Sequence, residues 1–229
     1  MPSHWFGGVS DAMPTSMFSE MPALRPNRLH SYFNDFNTFA VADWTITTTE
    51  AGASSASEAL TDEQFGALLI TNDAADNDAD FFQKVGESFK FVSGKQLWFE
   101  ARFKVSDATQ SDFVMGLQIT DTTPLAVTDG VYWRKDDGDA NLDFVVIKDS
   151  SATTATAAST CADATYMTLG FYYNGNSAIE YWKDGVKLGS SVTTNMPDDE
   201  LLTISFGIQN GEAVAKTMTV DYIFAAVER

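Results

Sequence analysis

Histidine is nearly absent: His4 and His30 are the only two in 229 residues, and both precede the stretch that reads as the folded body. A Ser/His/Asp or Cys/His relay inside that body is excluded on this reading, because no imidazole is there to take a nucleophile's proton. Cys161 is the single cysteine, which excludes an intrachain disulfide and, with so few histidines, the usual zinc ligand sets. It stands in a Ser/Thr/Ala stretch as a small filler. Basic residues are outnumbered 14 to 32 by acids, and the net charge of −18 opposes phosphate backbones and anionic lipid. No nucleic-acid partner is expected. No apolar run approaches the roughly 18 residues of a membrane span, and the N-terminus lacks the basic-then-apolar order of a secretory signal. Neither a membrane partner nor a signal peptide is expected.

Helical periodicity is also scarce, and what replaces it is alternation. Apolar residues make up 44% of the chain and aromatics 13%, a globular composition that can bury a core without staples. From Phe33 onward, apolar and polar residues alternate with period two between turn residues, the mark of half-buried strands. In "KQLWFEARFKVSD", Leu97, Phe99, Ala101, Phe103 and Val105 take one face, and Trp98, Glu100, Arg102 and Lys104 take the wetter one. "SDFVMGLQITD" repeats the pattern, and "TMTVDYIFAAVE" is read with Met218, Val220, Tyr222, Phe224 and Ala226 on one face. "FGALLIT", "ESFKFV", "GVYWRK", "LDFVVIK", "YMTLGFYY", "AIEYWKDG" and "LLTISFGIQN" read as further strands. Asn174-Gly175 and Asp184-Gly185 supply the positive φ angles that tight hairpins need. Many short strands joined by hairpins predict an all-β chain, an antiparallel β-sandwich or jelly roll. Two low-complexity stretches, "TTTEAGASSASEALTDEQ" and "DSSATTATAASTCADAT", read as exposed loops or weak edge strands.

Three constellations carry candidate chemistry. "NDAADNDADFFQKVGE" sets Asp76, Asp78 and Asp80 in D-x-D-x-D order with Glu87 at the twelfth position, as in a calcium loop. Phe81 stands where the EF-hand turn needs glycine, which leaves calcium in another loop geometry or a solvated acidic turn. Asp136, Asp137 and Asp139 form a second acidic loop of the same kind. Glu100 and Glu180 lie on predicted strands flanked by aromatics, as a sugar-cleft acid pair does, or as the polar members of alternating strands. Trp98, Trp133, Tyr173 and Trp182 are candidates for stacking on saccharide faces, with core packing as the other reading.

Residues 1–32 differ from the rest. "MPSHWFGGVSDAMPTSMFSEMPALRP" holds four of the eight methionines and four of the six prolines, with only Asp11, Glu20 and Arg25 charged. Such a stretch is too uncharged for a solvated tail. It offers Trp5, Phe6, Met13, Met17, Phe18 and Met21 for burial, with Arg25 and Arg28 beside them. Methionine fills irregular surfaces and proline lowers the entropy lost on docking, so residues 1–32 are read as an arm and 33–229 as the sandwich. The arm either grips a neighbour or folds back over its own sheet.

"GVYWRKDDGDANLDFVVIKD", "TLGFYYNGNSAIEYWKDGVKLGSS" and "NMPDDELLTISFGIQNGEAVAKTMTVDYIFAAVER" resemble the concanavalin-A-like jelly-roll structural proteins of tailed bacteriophages. "LWFEARFKVSDATQSDFVMGLQITDTTP" extends the resemblance to residues 33–229. The same jelly roll serves lectins and glucanases, but the glucanase E-x-D-x-x-E spacing is missing at any strand position, as is the legume-lectin metal histidine. The resemblance implies a non-enzymatic capsid decoration or cement protein on the virion surface, made in the host cytoplasm, with no catalytic residue to transfer. Its implied partners are the major capsid protein and copies of itself, with a trimer favoured. The alternative is a lectin-like, carbohydrate-binding virion module using Trp133, Tyr173 and Trp182. No cofactor is expected apart from the calcium reading.

Overall fold

Fifteen strands and two single turns of 3-10 helix make up the regular structure of the computed structural model, which describes residues 15–22 and 25–229. The strands are β1 (Leu29–Asn34), β2 (Trp44–Thr49), β3 (Ser57–Thr61), β4 (Ala67–Thr71), β5 (Ala79–Lys84), β6 (Leu97–Val105), β7 (Ser111–Gln118) and β8 (Gly130–Lys135). They continue as β9 (Asn141–Lys148), β10 (Ser151–Thr160), β11 (Met167–Tyr173), β12 (Ala178–Lys183), β13 (Val186–Val192), β14 (Thr203–Asn210) and β15 (Thr217–Glu228). Among the described residues, no helix is long and apolar enough to cross a membrane.

Two antiparallel sheets form the sandwich. Sheet A runs β13-β12-β11-β6-β15-β4-β3, and β15 is long enough for β4 to pair with its first half and β1 with its second. Sheet B runs β10-β9-β8-β7-β14-β5-β2. The expected all-β jelly roll is the fold observed.

Alternation decides which residues fill the space between the sheets. Leu97, Phe99, Ala101, Phe103 and Val105 are all fully buried there, and each large side chain so placed contributes about 1.5–3 kcal/mol. From sheet B, Phe113, Met115, Leu117, Trp133, Phe144, Phe206 and Ile208 meet them. Phe99 stacks on Phe171 with ring centroids 5.1 Å apart, and Trp133 donates its indole N–H to the Gly170 carbonyl at 3.2 Å. The hairpin at Asp184 (φ 49°) and Gly185 (φ 75°) has both central residues left-handed, as a type I′ turn requires.

Of the two readings of "SATTATAAST", loop or weak edge strand, the edge strand is the one observed, as the ten-residue β10. Three local expectations are corrected. "ESFKFV" makes only an isolated bridge, Phe89 to Leu202, and is no strand. β1 begins at Leu29, so the boundary drawn at residue 33 falls inside a strand of sheet A. In β15 the phase slips: Val220 pairs with Phe103 but Tyr222 pairs with Arg102, leaving Asp221 as an extra, bulged residue. Met218 and Val220 therefore face the core together with Ile223, Ala225 and Val227, whereas Phe224 and Ala226 pack on the outside.

Candidate functional site

The bulge in β15 builds the site. An extra residue in one strand re-aims the side chains around it, and here Asp221 and Tyr222 both reach the outer face of sheet A beside Arg102 of β6. Arg102 pairs with Asp221 and lies over the Tyr166 ring, its guanidinium carbon 4.1 Å from the centroid. Lys104, two residues along the same face, lies 4.5 Å from that centroid and donates to Glu63 at 2.9 Å. The Tyr166 hydroxyl donates to Glu63 as well. Those bonds from Tyr166 and Lys104 hold the Glu63 carboxyl below its ordinary range.

Above this polar floor stand exposed rings. Phe33 is 61% exposed and Phe65 72%, although both border a groove of about 610 Å³ whose floor is Arg102, Tyr166, Asp221 and Tyr222. Phe33 and Tyr222 rings lie 6.3 Å apart at 40°. Phe65 has a φ of 76°, a left-handed conformation that costs a bulky side chain about 1–3 kcal/mol. Gly66 after it (φ 90°) permits the close approach, since a Cβ there would lie 2.9 Å from the Asp35 and Phe36 carbonyl oxygens. Strain of this kind, spent on holding a ring in solvent, points to use of that ring. Behind Tyr222, the Tyr222 hydroxyl donates to Glu100 at 2.7 Å. Burial pushes the Glu100 carboxyl up, against the lowering effect of that bond.

The residues singled out from sequence fall elsewhere. Trp133 and Tyr173 are core residues, 0% and 1% exposed, and offer no face to a sugar; Trp182 is 8% exposed on the outer side of sheet A. Trp98, expected on the wetter face, is fully buried because the N-terminal segment lies over it. Met17 packs among Trp98, Tyr172 and Trp182, and Phe18 and Met21 pack beside it. Gly170 makes room, for a Cβ there would lie 2.9 Å from the Met17 methyl. The Trp98 indole N–H donates to the Met17 carbonyl at 3.2 Å, and Glu20 accepts from Gln96 and Tyr172, each at 3.0 Å. Arg25 and Arg28 are exposed in the turn before β1; Trp5, Phe6 and Met13 lie outside the described residues.

The four acids of the calcium reading are not brought together. Asp78 accepts from the backbone N–H of Ala51 and Asp73, Asp80 from the Thr48 hydroxyl, and Glu87 from the Thr120 N–H, while Asp76 is exposed. Among the described residues no group of three or more acid, His or Cys side chains is placed to hold a metal ion. Asp136, Asp137, Asp139 and Asp143 do line one shallow pocket on sheet B, with no basic residue among its walls. Glu100 and Glu180 share the outer face of sheet A but sit on β6 and β12, with β11 between them. The histidine argument also needs correction: His30 belongs to β1, and its Nε2 lies 3.0 Å from the Ser88 hydroxyl. That pair has no carboxylate on the imidazole among the described residues, so it lacks the orienting third member of a relay.

No family model matches the sequence, and no curated protein is significantly similar to it. Solved structures match throughout the sandwich. A protein of unknown function from Shewanella oneidensis MR-1 is 17% identical, with a TM-score of 0.61 over 88% of this chain and 87% of that one. An endo-1,3-β-glucanase from Streptomyces sioyaensis is 12% identical, with a TM-score of 0.62 over 90% and 98%. Peanut lectin is 9% identical, with a TM-score of 0.59 over 88% and 97%. These likenesses establish the concanavalin-A-like fold. They also overturn the expectation of a non-enzyme, since glucanases and a lyase recur among the structures that share this architecture. A missing E-x-D-x-x-E spacing is too narrow a ground for excluding catalysis.

Proposed function

We propose that the chain recognises a neutral glycan through the groove bounded by Phe33, Phe65, Arg102, Asp221 and Tyr222. The observation that carries this reading is the strained, exposed Phe65 ring, which borders with Phe33 a groove that has a charged, hydrogen-bonding floor. Pyranose rings have an apolar face that stacks on aromatics and a rim of hydroxyls that charged groups bind in pairs. The groove's volume lies in the usual range for small-ligand sites, about 300–1,000 Å³. The glycan-acting and glycan-binding proteins that share the fold support the same class of ligand, at the level of architecture alone.

Charge narrows the class. Asp35, Glu63 and Asp221 at the groove, on a chain of net charge −18, repel a polyuronide and tolerate an uncharged chain. A β-1,3-linked glucan is the first ligand to try. The capsid-decoration reading gives way here, because Met17, Phe18 and Met21, on which it drew, are engaged with the chain's own sheet.

Calorimetric titration with a β-1,3-glucan hexasaccharide tests this. Binding should weaken about tenfold in Phe65→Ala, the worth of one good stacking contact, and more in Arg102→Ala, which removes charge-assisted hydrogen bonds. Unchanged binding in both variants, or tighter binding to a polyuronide, would refute the assignment. The same incubations, assayed for new reducing ends, report whether the bound chain is cut.

A further inference from the structure

Sheet A carries a second groove on the same outer face. It encloses about 600 Å³ beneath residues 15–20, and its walls include Ser16, Glu20, Tyr172, Glu180, Trp182 and Lys187. We propose that this groove is a distal subsite for the same saccharide chain, so that recognition runs along the sheet; the inference rests on the glycan reading of the first groove.

Trp182 supplies the first argument. It is 92% buried by its 8% exposure, and its indole N–H has no hydrogen-bond partner among the described residues. Trp98 and Trp133, which are fully buried, both donate to backbone carbonyls. A buried donor without a partner is costly, and a hydroxyl oxygen of a ligand reaching it removes that cost.

Matching chemistry supplies the second. Glu180 pairs with Lys187, and the Tyr172 hydroxyl bonds Glu20 and Gln96, so the walls offer acceptors and donors beside an indole, as the first groove offers carboxylates and a guanidinium beside phenyl rings. No excess of basic charge calls for an anion.

Position supplies the third. Glu180 lies opposite Tyr172 and Arg102 opposite Thr168, so the two grooves are four residues apart along β11 and two strands apart across it. At about 3.4 Å per residue and 4.8 Å per strand, that separates them by roughly 17 Å, beyond the reach of a disaccharide and within that of a longer chain. Beside the first groove, Phe224 of β15 forms an edge-to-face pair with Phe18, centroids 5.8 Å apart and both half-buried, over which a sugar face can lie.

The test is calorimetry on the full chain with the β-1,3-linked glucose disaccharide and the hexasaccharide. The hexasaccharide should bind at least about tenfold tighter; Trp182→Phe, which keeps the ring and removes the donor, should weaken it about threefold to tenfold and leave the disaccharide unchanged. The Trp182 indole ¹H–¹⁵N resonance should move with the hexasaccharide and stay put with the disaccharide. Glu180→Gln gives the same length-dependent loss if Trp182→Phe does not fold. Equal affinity for both sugars, or a still indole resonance on hexasaccharide binding, overturns the distal subsite and leaves the first groove standing. Binding of neither sugar overturns the proposed function and the subsite with it.

Discussion

Asp80 shows how far a single residue can depart from what its place in a motif suggests. It reads as one member of an acidic loop, yet in β5 it is 1% exposed, and its carboxyl is pushed up to about 6 chiefly by burial, with Glu58, Glu50 and Asp78 adding repulsion and the Thr48 hydroxyl opposing it. Because its folded-state pKa exceeds the unfolded value, the folded chain holds the proton more tightly, and stability falls as pH rises from about 4 to 6. The penalty is complete above that window and amounts to about 2–3 kcal/mol. Asp80→Asn, which retains an acceptor for Thr48, should therefore be more stable than the parent at pH 7 and equal to it at pH 3.5 in urea unfolding. A variant less stable at pH 7 would show that the carboxylate is held by attraction. Residues of the groove were less legible. Phe65 stands in the sequence as one aromatic among seventeen Phe, and only the turn formed with Gly66 reveals its exposure and strain.

Elements were readable where one period holds and were lost where it slips. β6 keeps strict alternation, and its core face is the one expected; β15 changes phase at Asp221, and reading straight through it puts Tyr222 and Phe224 in the core. The signal was present, for apolar residues at 218 and 220 resume at 223, 225 and 227, a step of three in a period of two. That slip is also the feature that makes the site, so the misread element and the missed groove have one cause. Trp98 was misread for a different reason: its face is covered by a segment remote in sequence, which alternation within a strand cannot register. The segment is held by Met17 in the hollow over Gly170. Met17→Asp should undock it, lowering the thermal midpoint by about 5 °C, reddening tryptophan emission and raising binding of a hydrophobic dye, whereas Met17→Leu should change little. An unchanged midpoint and emission in Met17→Asp would show that the segment adds nothing to the fold.

At the scale of the whole molecule, two sheets divide their duties. The space between them holds a continuous aromatic and aliphatic core, and stability resides there. The outer face of sheet B is partly closed by the loop 119–129, whose Leu125 and Val127 pack with Phe81, Tyr132 and Val145. The outer face of sheet A carries both grooves and the exposed rings. The acidic surface around them favours an uncharged ligand. Fold class was legible because it needs only the period and the turns; the working face was not, because either outer face fits the same alternation. A crystal structure of the chain with a bound β-1,3-glucan hexasaccharide tests the assignment most directly. A sugar ring between Phe33 and Phe65 with hydroxyls on Arg102 and Asp221 is the expected result; a saccharide bound instead on the outer face of sheet B, with the Phe65 groove empty, would contradict it.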